Sequence, residues 1–155
     1  MKSNIILGLD IGGSGIKGAL VDVRTGKVVS DRIRFETPQP ATPKAVASTV
    51  DLLVKELGYQ GNIIGCGFPA IIKNGVSKSA SNIEKSWIGE NVEKLLSKKT
   101  GKQVFVLNDA DAAGVAEMNW GRLKGIKGVS ILLTLGTGIA GLSIFFGRCT
   151  YNARY

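Results

Sequence analysis

The sequence predicts a mixed α/β sheet that starts as an antiparallel meander and continues with strands alternating with helices. Three observations point there. Short runs rich in β-branched residues come first, at 5–10, 15–23 and 28–35, separated only by tight turns. Next, Val46, Val50, Leu53, Val54 and Leu57 recur at helical spacing. Beyond residue 62, apolar runs of strand length alternate with segments of helical pattern.

Each element follows from its residues. The run at 5–10 ends in a carboxylate and a glycine cluster, and 15–23 returns with Ile16, Ala19, Val21 and Val23. Arg24-Thr25-Gly26-Lys27 is a turn into a third strand over 28–35. The stretch 37–43 holds three of the four prolines and reads as an extended connector. Thr42 then suits an N-cap, with Pro43 at the first helical position and Gly58 at the end. A buried strand over 62–67 runs into Phe68-Pro69, and Asn74-Gly75 centres a small hairpin over 71–76. Val92, Leu95 and Leu96 mark a helix that stops before Gly101. A strand at 104–107 leads at once to Asn108-Asp109 and a helix over 110–120. Strands at 130–135 and 139–146 flank Gly136-Thr137-Gly138. There is no internal repeat.

The chain has 155 residues, enough for one domain or one domain and part of another. A chain of that size buries roughly 70% of its unfolded surface. Its 21 glycines are about twice the usual share, which predicts many turns needing freedom at φ. The absence of histidine excludes Ser-His-Asp and Cys-His catalysis and His-ligated metal sites. Cys66 and Cys149 are too distant for a CxxC pair and too few for a zinc site, so reduced thiols are expected. Neither a signal peptide nor an apolar run of about 18 residues is present, which predicts a cytoplasmic protein without a membrane partner. The net charge of +8 suits a polyanionic ligand in sign. It is unevenly spread, however: residues 119–155 carry five Lys/Arg and no acid. A solvated face or a non-native tail explains that as readily.

Three motifs carry chemistry. In Asp10-Ile11-Gly12-Gly13-Ser14-Gly15-Ile16-Lys17, a strand delivers an aspartate to a glycine turn and the return strand brings a lysine. Backbone N–H groups of such a turn can close around a phosphate as an anion nest. Ser14 adds a hydroxyl, Lys17 a cation, and Asp10 can hold Mg²⁺ through water. A strand rather than a helix follows, so this is neither a P-loop nor a dinucleotide fingerprint; a ligand-free glycine hairpin is the plain alternative. Asn108-Asp109 at a strand end is either an N-cap or a hydroxyl-binding group beside a carboxylate base. Gly136-Thr137-Gly138 is again strand, glycine turn, strand.

Taken together, Asp10-x-Gly-Gly-Ser, Asn108-Asp109 and Gly136-Thr137-Gly138 resemble the sugar kinases of the ROK (repressor, open reading frame, kinase) family. The stretches 37–43, 81–89 and 107–114 are similar to the branch of that family that phosphorylates glucose on O6 from polyphosphate, or from ATP. The resemblance implies a ribonuclease-H-like, actin-like ATPase fold, with an N-terminal lobe at 1–118 and the start of a C-terminal lobe at 119–155. It implies that Asp10, Gly12, Gly13, Ser14, Gly15 and Lys17 form the first phosphate loop, with Mg²⁺ on Asp10 through water. Gly136, Thr137 and Gly138 would form the second loop. Asn82, Asn108, Gly67 and Pro69 would border the glucose, and Asp109 would be the base at O6. A transcriptional repressor is less favoured, since the first motif leaves no room before it for a helix-turn-helix.

The family pattern is expected to fail near 140, where Ala140 replaces a glycine and neither a Glu-Phe-Gly-His stretch nor a Gly-Gly-Gly loop follows. A frameshift or premature stop would produce that. It would expose Ile131, Leu133, Leu142, Ile144 and Phe146 and favour homo-oligomers or aggregation. The second function reading is therefore a catalytically inactive fragment that binds sugar or phosphate.

Overall fold

The computed structural model describes residues 4–80, 83–135, 139–145 and 148–150. The meander forms as its alternation dictates. Strand β1 (Ile5–Ile11) pairs antiparallel with β2 (Gly15–Asp22), placing Leu7 opposite Leu20, Leu9 opposite Gly18 and Ile11 opposite Ile16. The expected third strand is two short ones, β3 (Lys27–Val28) and β4 (Ile33–Glu36), both paired to β2. Ser30 causes the break. Its hydroxyl accepts the Leu20 N–H at 2.9 Å, where a strand carbonyl would otherwise serve, and donates to the Asp31 carbonyl at 2.8 Å.

Helix α1 (Pro43–Glu56) starts as its cap residues require, with the Thr42 hydroxyl accepting from the Ala45 N–H. Strand β5 (Ile63–Phe68) then joins β1 in parallel. The hairpin β6 (Ile72–Lys73) and β7 (Val76–Ser77) turns through Asn74 and Gly75, both at positive φ (52° and 75°). That is the mirror-image turn Asn-Gly favours. A single turn of 3₁₀ helix (Lys85–Trp87) precedes α2 (Val92–Thr100), which Gly101 ends in the left-handed region. Strand β8 (Gln103–Asn108) lies parallel to β5, giving the order β3-β2-β1-β5-β8, with β4 also on β2.

One face of this sheet is sealed. Leu7, Leu9, Ile11, Ile16, Ile64, Phe68, Val104 and Val106 pack with Val46, Val50 and Leu53 of α1 and Val92 and Leu96 of α2. Fully burying each such aliphatic side chain stabilises the fold by roughly 1.5–3 kcal/mol. The alternate residues face the other way, and there Ile63, Phe105 and Leu107 stay exposed.

The chain divides into two compact units, Met1–Asn108 and Asp109–Tyr155. The second holds helix α3 (Asp109–Trp120) and an antiparallel sheet of β9 (Val129–Leu135), β10 (Ile139–Phe145) and β11 (Arg148–Thr150), with β10 central. Strand β11 was not expected. Phe146, and the side chains of Ile131, Leu133, Leu142 and Ile144, lie outside what is described, so their predicted exposure does too. Among the described residues no helix is long and apolar enough to cross a membrane.

Candidate active site

Strands β1, β5 and β8 run parallel, so their carboxyl ends share one edge, where open α/β sheets bind ligands. The register there pairs Asp10 with Gly67, Gly67 with Leu107 and Phe68 with Asn108. Three of the predicted site positions, Asp10, Gly67 and Asn108, are thus brought together by strand pairing alone.

Beyond Asp10 the chain turns through loop 12–15, closed by the Gly12 N–H donating to the Gly15 carbonyl at 2.9 Å. Side chains from further along the chain take up its carbonyl oxygens in succession. The Thr37 hydroxyl donates to Gly12 at 2.5 Å, the Gln39 amide to Gly13 at 3.4 Å, and the Arg34 guanidinium to Ser14 at 2.9 Å. With its carbonyls tied back, the loop keeps the exposed N–H groups of Gly13 and Ser14 without an acceptor among the described residues. That polarity suits an anion. The nest geometry expected from the glycines is not what forms: none of Gly12, Gly13 or Gly15 is in the left-handed region, which an alternating nest requires. Glycine at 15 instead leaves the space that the Arg34 guanidinium occupies. A Cβ there would sit 2.7 Å from Arg34 Nε and 3.0 Å from Cζ.

Arg34, Thr37 and Gln39 were missed as site residues. Each is 20 to 26 positions from its partner, so no local motif reveals them. Their stretch is more than the plain extended connector the prolines suggested.

Asp10 and Lys17 face each other across β1 and β2, with Nζ 3.2 Å from Oδ2 and the carboxylate 55% exposed. An exposed pair of this kind adds little stability, about 0–1 kcal/mol. It does leave a carboxylate lining an open cleft of about 170 Å³, together with Gly8, Gly18, Ala19, Lys17 and Arg32. Mg²⁺ binds through one or two carboxylates plus phosphate oxygens and keeps several waters. A single exposed carboxylate beside free N–H donors fits that mode. Among the described residues there is no cluster of three His, Cys, Asp or Glu that would make a protein-only cage. Beneath the site Cys66 is buried; burial first, and the Asp10 charge second, push its thiol pKa well up.

On the neighbouring strand end the construction is different. Asn108 is 1% exposed, and its amide nitrogen donates to the carbonyls of Phe68 (3.3 Å) and Ala70 (3.1 Å). Asn108 therefore holds the turn that carries Gly67 and the buried Pro69. The Phe68 ring packs on Trp87 with centroids 4.7 Å apart, and the Trp87 indole N–H donates to the Ala41 carbonyl at 2.8 Å. Asp109 follows as the first residue of α3; it is exposed, and one carboxylate oxygen accepts the Ala110 N–H at 2.9 Å. Asn82 and Gly136, Thr137 and Gly138 lie outside the described residues.

The ROK family model matches residues 6–151. The chain belongs to the ROK family. The resemblance read from its motifs is borne out, and the match runs past position 140. The chain is 46% identical over 149 residues to a polyphosphate glucokinase of Mycobacterium tuberculosis, covering 96% of this chain and 56% of that protein. Among solved structures, an inorganic polyphosphate/ATP-glucomannokinase from Arthrobacter sp. strain KM superimposes with a TM-score of 0.91 at 46% identity, over 96% of this chain and 61% of the other. A ROK family glucokinase from Streptomyces griseus, solved with glucose and AMPPNP, gives 0.82 at 27% identity, over 96% and 47%. The fold is the actin-like, ribonuclease-H-like one of ROK sugar kinases. This chain spans about half the length of the curated relatives it matches, 56% of the first and 42–46% of others.

Proposed function

We propose that the chain supplies the first phosphate loop and the sugar-binding edge of a cytoplasmic phosphotransferase that moves a phosphoryl group from polyphosphate or ATP to O6 of glucose. The observation that carries this reading is the 46% identity, over 96% of the chain, to a protein named polyphosphate glucokinase. In this reading residues 1–118 furnish the N-terminal kinase lobe and 119–155 begin the C-terminal one.

Phosphoryl transfer needs positioning, charge neutralisation and one base. The N–H groups of Gly13 and Ser14, the Ser14 hydroxyl and Lys17 hold the terminal phosphate of the donor. Gly12 and Gly15 let the backbone close in, and Gly136, Thr137 and Gly138 take the donor from its other side. Asp10 would hold Mg²⁺ through water, and the ion, when bound, would supply neutralisation of charge on the donor phosphates. Asn82, Asn108, Gly67 and Pro69 border the glucose. Asp109 accepts the proton of O6 as O6 bonds to phosphorus and the bond from phosphorus to the donor's leaving oxygen breaks. No histidine competes for that role.

The test is formation of glucose 6-phosphate by the purified chain with Mg²⁺ and either donor. Asp109→Asn should lower kcat by about 10²–10⁴, the usual worth of a positioned base. A chain that binds sugar or phosphate without turnover is the second reading. Absence of product with the unmutated chain supports it.

A further inference from the structure

Lys17 and Arg34 stand directly opposite each other in the antiparallel register of β2 and β4. Like charges in that position repel and destabilise a sheet. Among the described residues only Lys17 of the two is compensated, by Asp10. Arg34 donates one N–H to a neutral carbonyl, and Arg32, two positions back on the same outward face, makes no ion pair among the described residues. Glu36, on the same face of β4, pairs with neither arginine. Local rules are broken in this way mostly where a ligand completes the arrangement. The Arg34 guanidinium is also laid flat on loop 12–15, in space that only the glycine at 15 leaves open.

We propose that Arg34, Lys17 and Arg32 form a cationic row that continues the first phosphate loop and takes the successive phosphates of a long linear polyphosphate. The proposal rests on the reading above, in which the loop holds a donor phosphate. Arg34 lies against the loop, so it contacts the first groups of any donor. Arg32 lies about 7 Å further along the strand direction, so only a longer chain reaches it. The row makes the donor's length, rather than its end alone, part of recognition. A nucleic acid backbone is the competing polyanion. The cleft beside the row is lined by glycine, alanine, leucine and valine with Asp10, Lys17 and Arg32, and offers no aromatic ring for a base to stack on.

Binding of long-chain polyphosphate, inorganic tripolyphosphate and a single-stranded oligonucleotide to the full chain, titrated over a salt series, tests this. Arg32→Ala should weaken long-chain binding about three- to tenfold at low salt, lower the salt slope by about one, and weaken tripolyphosphate by less than twofold. Arg34→Ala should weaken both, and Arg34→Lys should recover only part, because it restores charge without the planar fork. Thermal melts confirm that each variant is folded. Lys98→Ala on α2 removes the same net charge far from the row and should change nothing. Equal effects of Arg32→Ala and Lys98→Ala would overturn the row while leaving the loop reading intact. Oligonucleotide binding as tight as polyphosphate overturns it too. A wild-type chain that binds no phosphate of either length overturns both the row and the reading beneath it.

Discussion

Loop 12–15 and turn 68–70 leave neighbouring strands at one edge of the sheet, but they are secured by different physics. The loop is exposed at Gly13 and Ser14, and three side chains from a later segment grip its carbonyl oxygens. The turn is buried, held by the Asn108 amide from below and by packing on Trp87. Polar bracing fixes orientation at small cost to the core; packing fixes position and carries stability. Substitutions on the two sides should therefore separate, one set changing ligand affinity and the other the folding free energy.

The largest effect is expected at Trp87, which joins both sides. Trp87→Ala removes a fully buried ring and should cost about 3–5 kcal/mol of stability, read from chemical denaturation. Trp87→Phe keeps an aromatic ring but strands the Ala41 carbonyl, and should fall between. Next, Asn108→Ala takes the side-chain donor from the Ala70 carbonyl and leaves the Phe68 carbonyl with the Ala70 N–H alone, and should cost about 1–3 kcal/mol by the same measurement. If it proves neutral, the turn is not held as described. Thr37→Val, at a buried hydroxyl beneath the loop, should cost about 1 kcal/mol, yet loosen tripolyphosphate binding severalfold by freeing the Gly12 carbonyl. A stability loss without an affinity loss there would erase the contrast. The smallest effect concerns Cys66. Its folded pKa lies above its unfolded value, so the stability it contributes is complete below the ordinary thiol range and is lost as pH rises beyond it. With Cys149→Ser in place, native protein near pH 8 should accordingly alkylate at Cys66 far more slowly than unfolded chain, and comparable rates would show Cys66 to be accessible.

The order of elements was legible because it rests on local signals. Thr42-Pro43 starts a helix, Asn74-Gly75 makes the turn its φ values demand, and Asp10 and Asn108 lie within one residue of the strand ends expected. The strand split at Ser30 was not legible, since it comes from one hydroxyl meeting the Leu20 N–H ten residues earlier. The bracing of the loop was hidden for the same reason at longer range, and the opposition of Lys17 and Arg34 exists only once the register is set. Glycine abundance misled in one respect: it suggested φ freedom in loop 12–15, where what is used is the missing Cβ.

That missing Cβ has a consequence for any selection imposed on the molecule. A methyl group at position 15 meets the far end of a flexible arginine, not backbone, so Gly15→Ala can be absorbed by swinging the guanidinium aside. A library sorted for thermal stability should let alanine through at 15, whereas one sorted for anion capture should reject it. Once position 34 is shortened, neither sort should discriminate. Positions 15 and 34 thus behave as a single character in sequence space, visible only to selection that includes the ligand.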